Sequence, residues 1–142
     1  MNSQNIKKAF SLLELLVVIL ILGILAAFVA PNLIGKGEEA KRDLVCVQMN
    51  TIGEALKMFK LDNGMYPDTE EGLNALVSNP DSDKYPNYAN SPYMEQLPKD
   101  SWQTPFTYIF NESKYELISF GSDRKEGGSG DAEDILLSTC KR

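Results

Sequence analysis

A stretch near the carboxyl end of the chain combines residue types that bind hard cations. It runs from Gly121 to Asp134 and holds five acidic side chains and four glycines. Ca²⁺ takes about six to eight oxygen ligands from carboxylates and carbonyls, and glycines let backbone carbonyls converge on one point. The spacing is not that of an EF-hand. On composition alone, the stretch is therefore either a calcium site or a solvated acidic turn.

A second candidate functional residue is Glu14, a carboxylate placed inside an apolar block. From Leu15 to Ala30 no side chain is charged or strongly polar. An ionisable group in such a block is costly in lipid and marks a functional site. Its partner must be a cation, and the candidates are Lys7, Lys8, or an amine created by cutting the chain just before Phe10.

The apolar block itself predicts a helix that crosses a membrane. Residues 12–34 supply the roughly 20 positions that a bilayer requires. Lys7 and Lys8 precede the block, which predicts a cytoplasmic N-terminus and an external domain. A cleaved secretory signal fits less well, because the apolar run is longer than usual and the following small residues are poorly placed for a cut. A plain, uncut anchor stays open.

The next segment, residues 38–61, has the pattern of an amphipathic helix. Its apolar residues recur in steps of three and four, and they are Val45, Met49, Ile52, Leu56 and Phe59. One long helix over residues 10–62 follows from the two halves. Alternation predicts antiparallel strands at 106–110, 115–120 and 135–138. Strands packed on the apolar stripe make an α+β fold.

Composition excludes several functions. The formal net charge of −6 argues against nucleic-acid binding. The chain has no histidine, the commonest general base, and shows no nucleophile paired with a base and no phosphate loop, so we do not expect an enzyme. Cys46 and Cys140 are either free thiols or a disulfide formed in an oxidising compartment.

The N-terminal residues Lys7 to Glu14, followed by the apolar helix, resemble the prepilin signal of type IV pilins and type II secretion pseudopilins. The resemblance implies that a prepilin peptidase removes residues 1–9 by cutting between Ala9 and Phe10, then methylates the Phe10 amine. It also implies that Glu14 pairs with this amine on a neighbouring subunit during assembly. The family almost always has Gly before the cut. Ala9 keeps a small residue there, so we expect slower or merely adequate processing rather than none.

Segments of the external domain are similar to the major pseudopilins of type II secretion systems. They are Tyr66-Pro67, Glu70–Val77 and Leu97–Tyr108. The resemblance implies a lollipop-like fold, in which a long helix with a membrane half and an amphipathic half packs on a small antiparallel sheet. Ser101 and Gln103 replace the Pro and Gly of the family pattern Leu-Pro-x-Asp-Pro-Trp-Gly, so this turn is altered.

The acidic stretch is also similar to the calcium loop of major pseudopilins. The matching positions are Ser119, Gly121, Asp123, Gly127, Gly128, Gly130, Asp134 and Ile135. The resemblance implies Ca²⁺ bound by six residues. These are the side chains of Asp123, Asp131 and Asp134 and the carbonyls of Ile118, Gly121 and Ser129. Arg124, which replaces a Gly, is less favourable beside a cation.

The resemblance implies a subunit that polymerises with copies of itself into a periplasmic pseudopilus. Before assembly, residues 10–34 would anchor it once in the bacterial inner membrane, with residues 35–142 in the periplasm. Minor pseudopilins and the inner-membrane assembly platform would be further partners. The alternatives are a type IV pilin or minor pseudopilin, and a membrane-anchored periplasmic binding module whose acidic loop or tyrosines hold a ligand.

Overall fold

The computed structural model describes residues 10–140, except for the side chains of residues 29–34. A long helix, α1 (Leu12–Asn63), precedes a three-stranded antiparallel sheet. The strands in spatial order are β1 (Thr107–Asn111), β2 (Lys114–Ser119) and β3 (Ile135–Leu136). This arrangement confirms the predicted α+β fold, and the first two strands lie within one residue of their predicted bounds.

The chain divides into two units, the second of which begins at Glu38. In the first unit α1 starts at Leu12 and continues as α-helix through Pro31. Over the residues that are described, no helix combines the length and hydropathy needed to cross a membrane. The predicted leader, residues 1–9, lies outside the described part of the chain.

The second unit is built around the apolar stripe of α1. All five residues of the stripe, named above, are fully buried. They form one core with side chains from the sheet and the connecting segments, including Leu73, Leu76, Tyr108, Leu117 and Ile135. The helical period of the sequence thus identified the buried face of α1 correctly.

The third strand is shorter than predicted. β3 ends at Leu136, and a 3₁₀ helix at Leu137–Thr139 follows instead of further strand. The reason is a side chain: the Ser138 amide donates to Glu116 Oε1 at 3.1 Å. The carboxylate takes the amide that would otherwise be available for a longer ladder.

A short 3₁₀ helix at Gly72–Leu76 follows α1 along the chain. Just before it, the Asp68 amide donates to Glu71 Oε2 at 2.8 Å, in the spacing of a capping box. Gly72, however, has φ +60°, in the left-handed region. That conformation interrupts a continuous right-handed helix.

The altered Trp turn is organised by a buried carboxylate. Asp100 is 1% exposed, and its Oδ1 accepts hydrogen bonds from the amides of Trp102 and Thr104 at 3.0 and 2.8 Å. Its Oδ2 accepts one from Ser119 Oγ at 2.7 Å, which ties the turn to β2. Gln103 has φ 66°, so a residue with a Cβ holds the left-handed position where the family pattern has Gly.

The tyrosine-rich segment that follows residue 80 is packed onto the core rather than open to a ligand. The rings of Tyr85, Tyr88 and Tyr93 lie 5.0–6.0 Å from the ring of Phe59. Each hydroxyl already donates to a protein acceptor. Those acceptors are Glu71 Oε2, the Ala75 carbonyl and Asp62 Oδ2. A ligand-binding role for these tyrosines therefore finds no support in their geometry.

A small charged cluster fixes this segment to the rest of the unit. Burial would raise the pKa of Glu71, but hydrogen bonds from Lys84, Tyr85 and the Asp68 amide outweigh it and hold the pKa below its ordinary value. Hydrogen bonds to Asp68 and Glu71 raise the pKa of Lys84. Burial and the hydrogen bond to Glu71 raise the pKa of Tyr85 to about 12.

The lowered pKa of Glu71 predicts an acid-sensitive contribution to stability. The contribution is complete above the ordinary pKa of 4.5 and is lost as the pH falls through the lower folded-state value. We expect Glu71→Gln to cost about 1 kcal/mol at neutral pH and to flatten the acid limb of the curve. Urea denaturation from neutral to acid pH measures both. Glu70→Gln, at the exposed neighbouring position, is the control, and an unchanged acid limb in Glu71→Gln would contradict the assignment.

Candidate functional site

The first unit presents an apolar surface that the rest of the described chain does not cover. Every large apolar side chain described between Leu12 and Phe28 is exposed, from 44% at Val17 to 86% at Leu12. Burying one such side chain contributes about 1.5–3 kcal/mol. A surface of this size must therefore be covered by lipid or by other protein.

Glu14 lies in the first turn of α1 and is exposed. Its amide donates to Ser11 Oγ at 3.1 Å, so Ser11 is the N-cap of the helix. The Ser-x-x-Glu spacing signals this cap, which the resemblance alone misses. Phe10, the predicted first residue after cleavage, is 79% exposed. Ala9 lies outside the described residues.

In the second unit the acidic stretch folds into a closed loop. Gly121 and Gly128 have φ of +68° and +90°. A Cβ on Gly128 would collide with the Ala132 carbonyl, and a Cβ on Gly121 would lie 3.0 Å from the Glu133 carbonyl oxygen. Both glycines therefore permit close contact between the two arms of the loop.

The structure places the predicted carboxylate ligands in this loop but does not gather them. Asp123 Oδ1 accepts from the Lys125 amide at 3.0 Å, and Asp134 Oδ2 accepts from the Gly127 amide at 2.9 Å. Asp131 lies in a 3₁₀ turn, Gly130–Ala132. Within the described part of the chain, no three acidic, His or Cys side chains converge as metal ligands.

The three predicted carbonyl ligands also have backbone partners. Gly121 and Ser129 accept from the amides of Arg124 and Ala132 at 3.3 and 3.2 Å. Ile118 lies in β2, the central strand, where it pairs with Thr107 and Leu136. Its backbone therefore belongs to the sheet rather than to the loop.

One atom of the loop could accept a further contact. Asp134 Oδ1 is buried and has no hydrogen-bond partner. Burying an unsatisfied acceptor costs about 1–3 kcal/mol, so such atoms need an explanation. A carboxylate oxygen suits Ca²⁺ rather than a softer metal. Asp134 thus fits the predicted cation.

Two contacts join the C-terminal part of the chain to α1. Cys46 and Cys140 form a disulfide across a sequence separation of 94 residues. Arg42, one turn earlier on α1, donates through Nη1 to the Glu133 carbonyl at 2.9 Å. Sequence reasoning left the thiols undecided and assigned Arg42 no role, since no local pattern connects residues so far apart.

Two family models match the chain. The model described as type II secretion system (T2SS), protein G, matches residues 32–138. The model described as the prokaryotic N-terminal methylation motif matches residues 4–30. The two matches meet near the end of the predicted membrane segment.

Individual relatives extend over nearly the whole chain. Type II secretion system core protein G of Vibrio cholerae is 40% identical over 137 residues, which cover 95% of this chain and 94% of the relative. The protein of the same name from Pseudomonas aeruginosa is 41% identical, over 91% and 93%. The crystal structure of the major pseudopilin from the type 2 secretion system of enterohaemorrhagic Escherichia coli is similar, with a TM-score of 0.68 at 31% identity. That match covers 79% of this chain and 94% of the other.

Proposed function

We propose that this chain, which belongs to the type II secretion system protein G family and is a structural subunit of a pseudopilus, is anchored in the inner membrane by residues 10–34 before it assembles. The observation that supports this best is the uncovered apolar surface of α1 with Glu14 in its first turn. Lipid covers such a surface before assembly, and the helices of other copies cover it afterwards. Residues 35–142 then lie in the periplasm.

Processing precedes assembly in this scheme. A prepilin peptidase cuts between Ala9 and Phe10 on the cytoplasmic face and methylates the new amine. The match to the N-terminal methylation motif supports this step. The exposure of Phe10 and the cap at Ser11 also support it, because the helix begins just after the predicted cut and does not bury the new terminus.

Glu14 sets the register between neighbouring subunits. Its carboxylate stands in an apolar surface, where an unpaired charge becomes costly once water is removed. The methylated amine of Phe10 on a neighbour is a cation of the right sign, and each subunit supplies one carboxylate and one amine. Because each pair joins different positions on two copies, the contact is head-to-tail. A head-to-tail contact whose rotation does not close generates a filament.

Replacing Glu14 with Ala should stop filament assembly while the second unit stays folded. The physical reason is the loss of the partner for the buried amine. The measurement is electron microscopy of filaments from cells that overproduce the subunit, after intact mass has shown that the chain begins at methylated Phe10. Glu39→Ala removes an exposed carboxylate from the same helix and is the matched control. Normal filaments from Glu14→Ala would refute the register role.

The acidic loop is the second part of the proposal, as a calcium site that stabilises the periplasmic unit. Asp134 supports it through its buried, unpartnered Oδ1. Asp131 would add a second carboxylate, and Asp123 a third after its Oδ1 turns from the Lys125 amide toward the ion. Ca²⁺ would supply positive charge between carboxylates that otherwise repel one another. Since only the folded loop presents these oxygens together, binding would stabilise the fold.

Calcium should therefore raise the melting temperature of the full chain in detergent, by about 5 °C or more when it saturates the site. Asp123→Ala and Asp134→Asn should each remove most of this shift. Thermal unfolding with calcium and with a chelator measures the effect. Asp83→Asn removes an exposed acid from a different loop and should leave the shift intact. If calcium leaves the melting temperature of the wild-type chain unchanged, the calcium site is refuted but the filament role is not.

A further inference from the structure

We infer that one turn of α1, from Arg42 to Cys46, positions the acidic loop and so sets its affinity for calcium. This inference rests on the calcium site proposed above. Neither residue would touch the ion. Both act through the C-terminal arm of the loop, which they fasten to the helix at two points.

The first point is Arg42. Its Nη1 donates to the carbonyl oxygens of Glu133 and Asp131 at 2.9 and 3.5 Å. These two carbonyls belong to the arm that carries Asp131 and Asp134, two of the three proposed carboxylate ligands. A hydrogen bond from a charged donor such as a guanidinium is stronger than one from a neutral donor. Arg42 itself is half-buried.

The second point is the disulfide. Cys46 stands four residues after Arg42, so the two side chains share one face of the helix. The disulfide holds Cys140, on the far side of β3 from the loop. β3 is two residues long and cannot fix the arm through many ladder hydrogen bonds. Arg42, Cys46, Ile135 and Cys140 line one surface recess.

The arm in turn fixes the rest of the loop. Gly121 and Gly128 lie against the backbone of Ala132 and Glu133 without room for a side chain. The Gly127 amide donates to Asp134 Oδ2 across the same gap. A shift of Glu133 away from Arg42 would therefore move both arms and disperse the proposed ligands.

The direction in which calcium affinity changes distinguishes a positioning role of Arg42 from a purely electrostatic one. Arg42 is a cation near a calcium site, so removing its charge reduces repulsion and should tighten binding on Coulomb grounds alone. If Arg42 instead positions the carbonyl arm, removing it should weaken binding. Lys41 is the natural control, because it carries the same charge at the neighbouring position and its Nζ pairs with Glu38 rather than with the loop.

The test is a calcium titration by calorimetry on the full chain in detergent. We expect Arg42→Gln to weaken calcium binding by about tenfold. Lys41→Gln should bind as tightly as the wild type or slightly more tightly. Arg42→Lys keeps the charge but replaces the guanidinium whose Nη1 makes both contacts, and should also bind more weakly than the wild type. Near-ultraviolet circular dichroism confirms that each variant is folded.

A second measurement follows the mobility of the loop in the absence of calcium. Amide hydrogen exchange over residues 121–134 should accelerate in calcium-free Arg42→Gln and stay unchanged in Lys41→Gln. The double variant Cys46→Ser with Cys140→Ser should show faster exchange of the same amides and weaker calcium binding. Wild-type behaviour of this variant would refute the role of Cys46.

Two results would overturn the role of Arg42, and they differ in what else they affect. If Arg42→Gln binds calcium as tightly as Lys41→Gln, only the positioning role of Arg42 is refuted. A wild-type chain that binds no calcium removes this inference together with the proposed calcium site. The pseudopilus subunit role stands in both cases, because it does not depend on the loop.

Discussion

The structure depends on an apolar surface that the chain does not cover with its own described residues. Along α1 from Leu12 to Phe28 the large side chains are exposed on every face. In water this surface would cost tens of kcal/mol, at about 1.5–3 kcal/mol for each side chain. Under the proposed assembly, the subunit exchanges a lipid environment for a protein one, and both are apolar. Such an exchange needs a directional interaction to select one packing, and Glu14 is the residue proposed to supply it.

The second unit folds around a different part of the same helix. Its core takes the stripe from Val45 to Phe59, and that stripe was predictable because helical periodicity is a property of neighbouring residues. The strands β1 and β2 were predictable for the same reason. The end of β3 was not, because the Glu116 carboxylate, 22 residues away, takes the Ser138 amide. The start of the 3₁₀ helix at Gly72 depends on the left-handed conformation of that residue, which periodicity does not reveal either.

The candidate site shows the same limit of sequence information. Residue types are visible in the sequence, but the directions in which their side chains point are not. The sequence shows in which loop the acids and glycines are concentrated, because residue types can be read directly from it. It did not reveal where the oxygens point: Asp123 and Asp134 each turn one oxygen toward a loop amide, and only Asp134 leaves the other buried without a partner. Arg42 reaches the loop across 91 residues of sequence. Long-range contacts of this kind follow from the packed fold, so no local spacing could have identified them.

Two physically different attachments, a disulfide and a hydrogen bond from a charged side chain, hold the C-terminal arm of the loop. The disulfide from Cys46 acts mainly by restricting the unfolded chain, and it is lost only on reduction. The contact from Arg42 acts in the folded state, through charge and direction, and holds the carbonyls in place. The proposed cation would act at the other end of the arm, on the carboxylates of Asp131 and Asp134. Since β3 contributes only two paired residues, these attachments add to a short ladder and to the burial of Ile135 in the core.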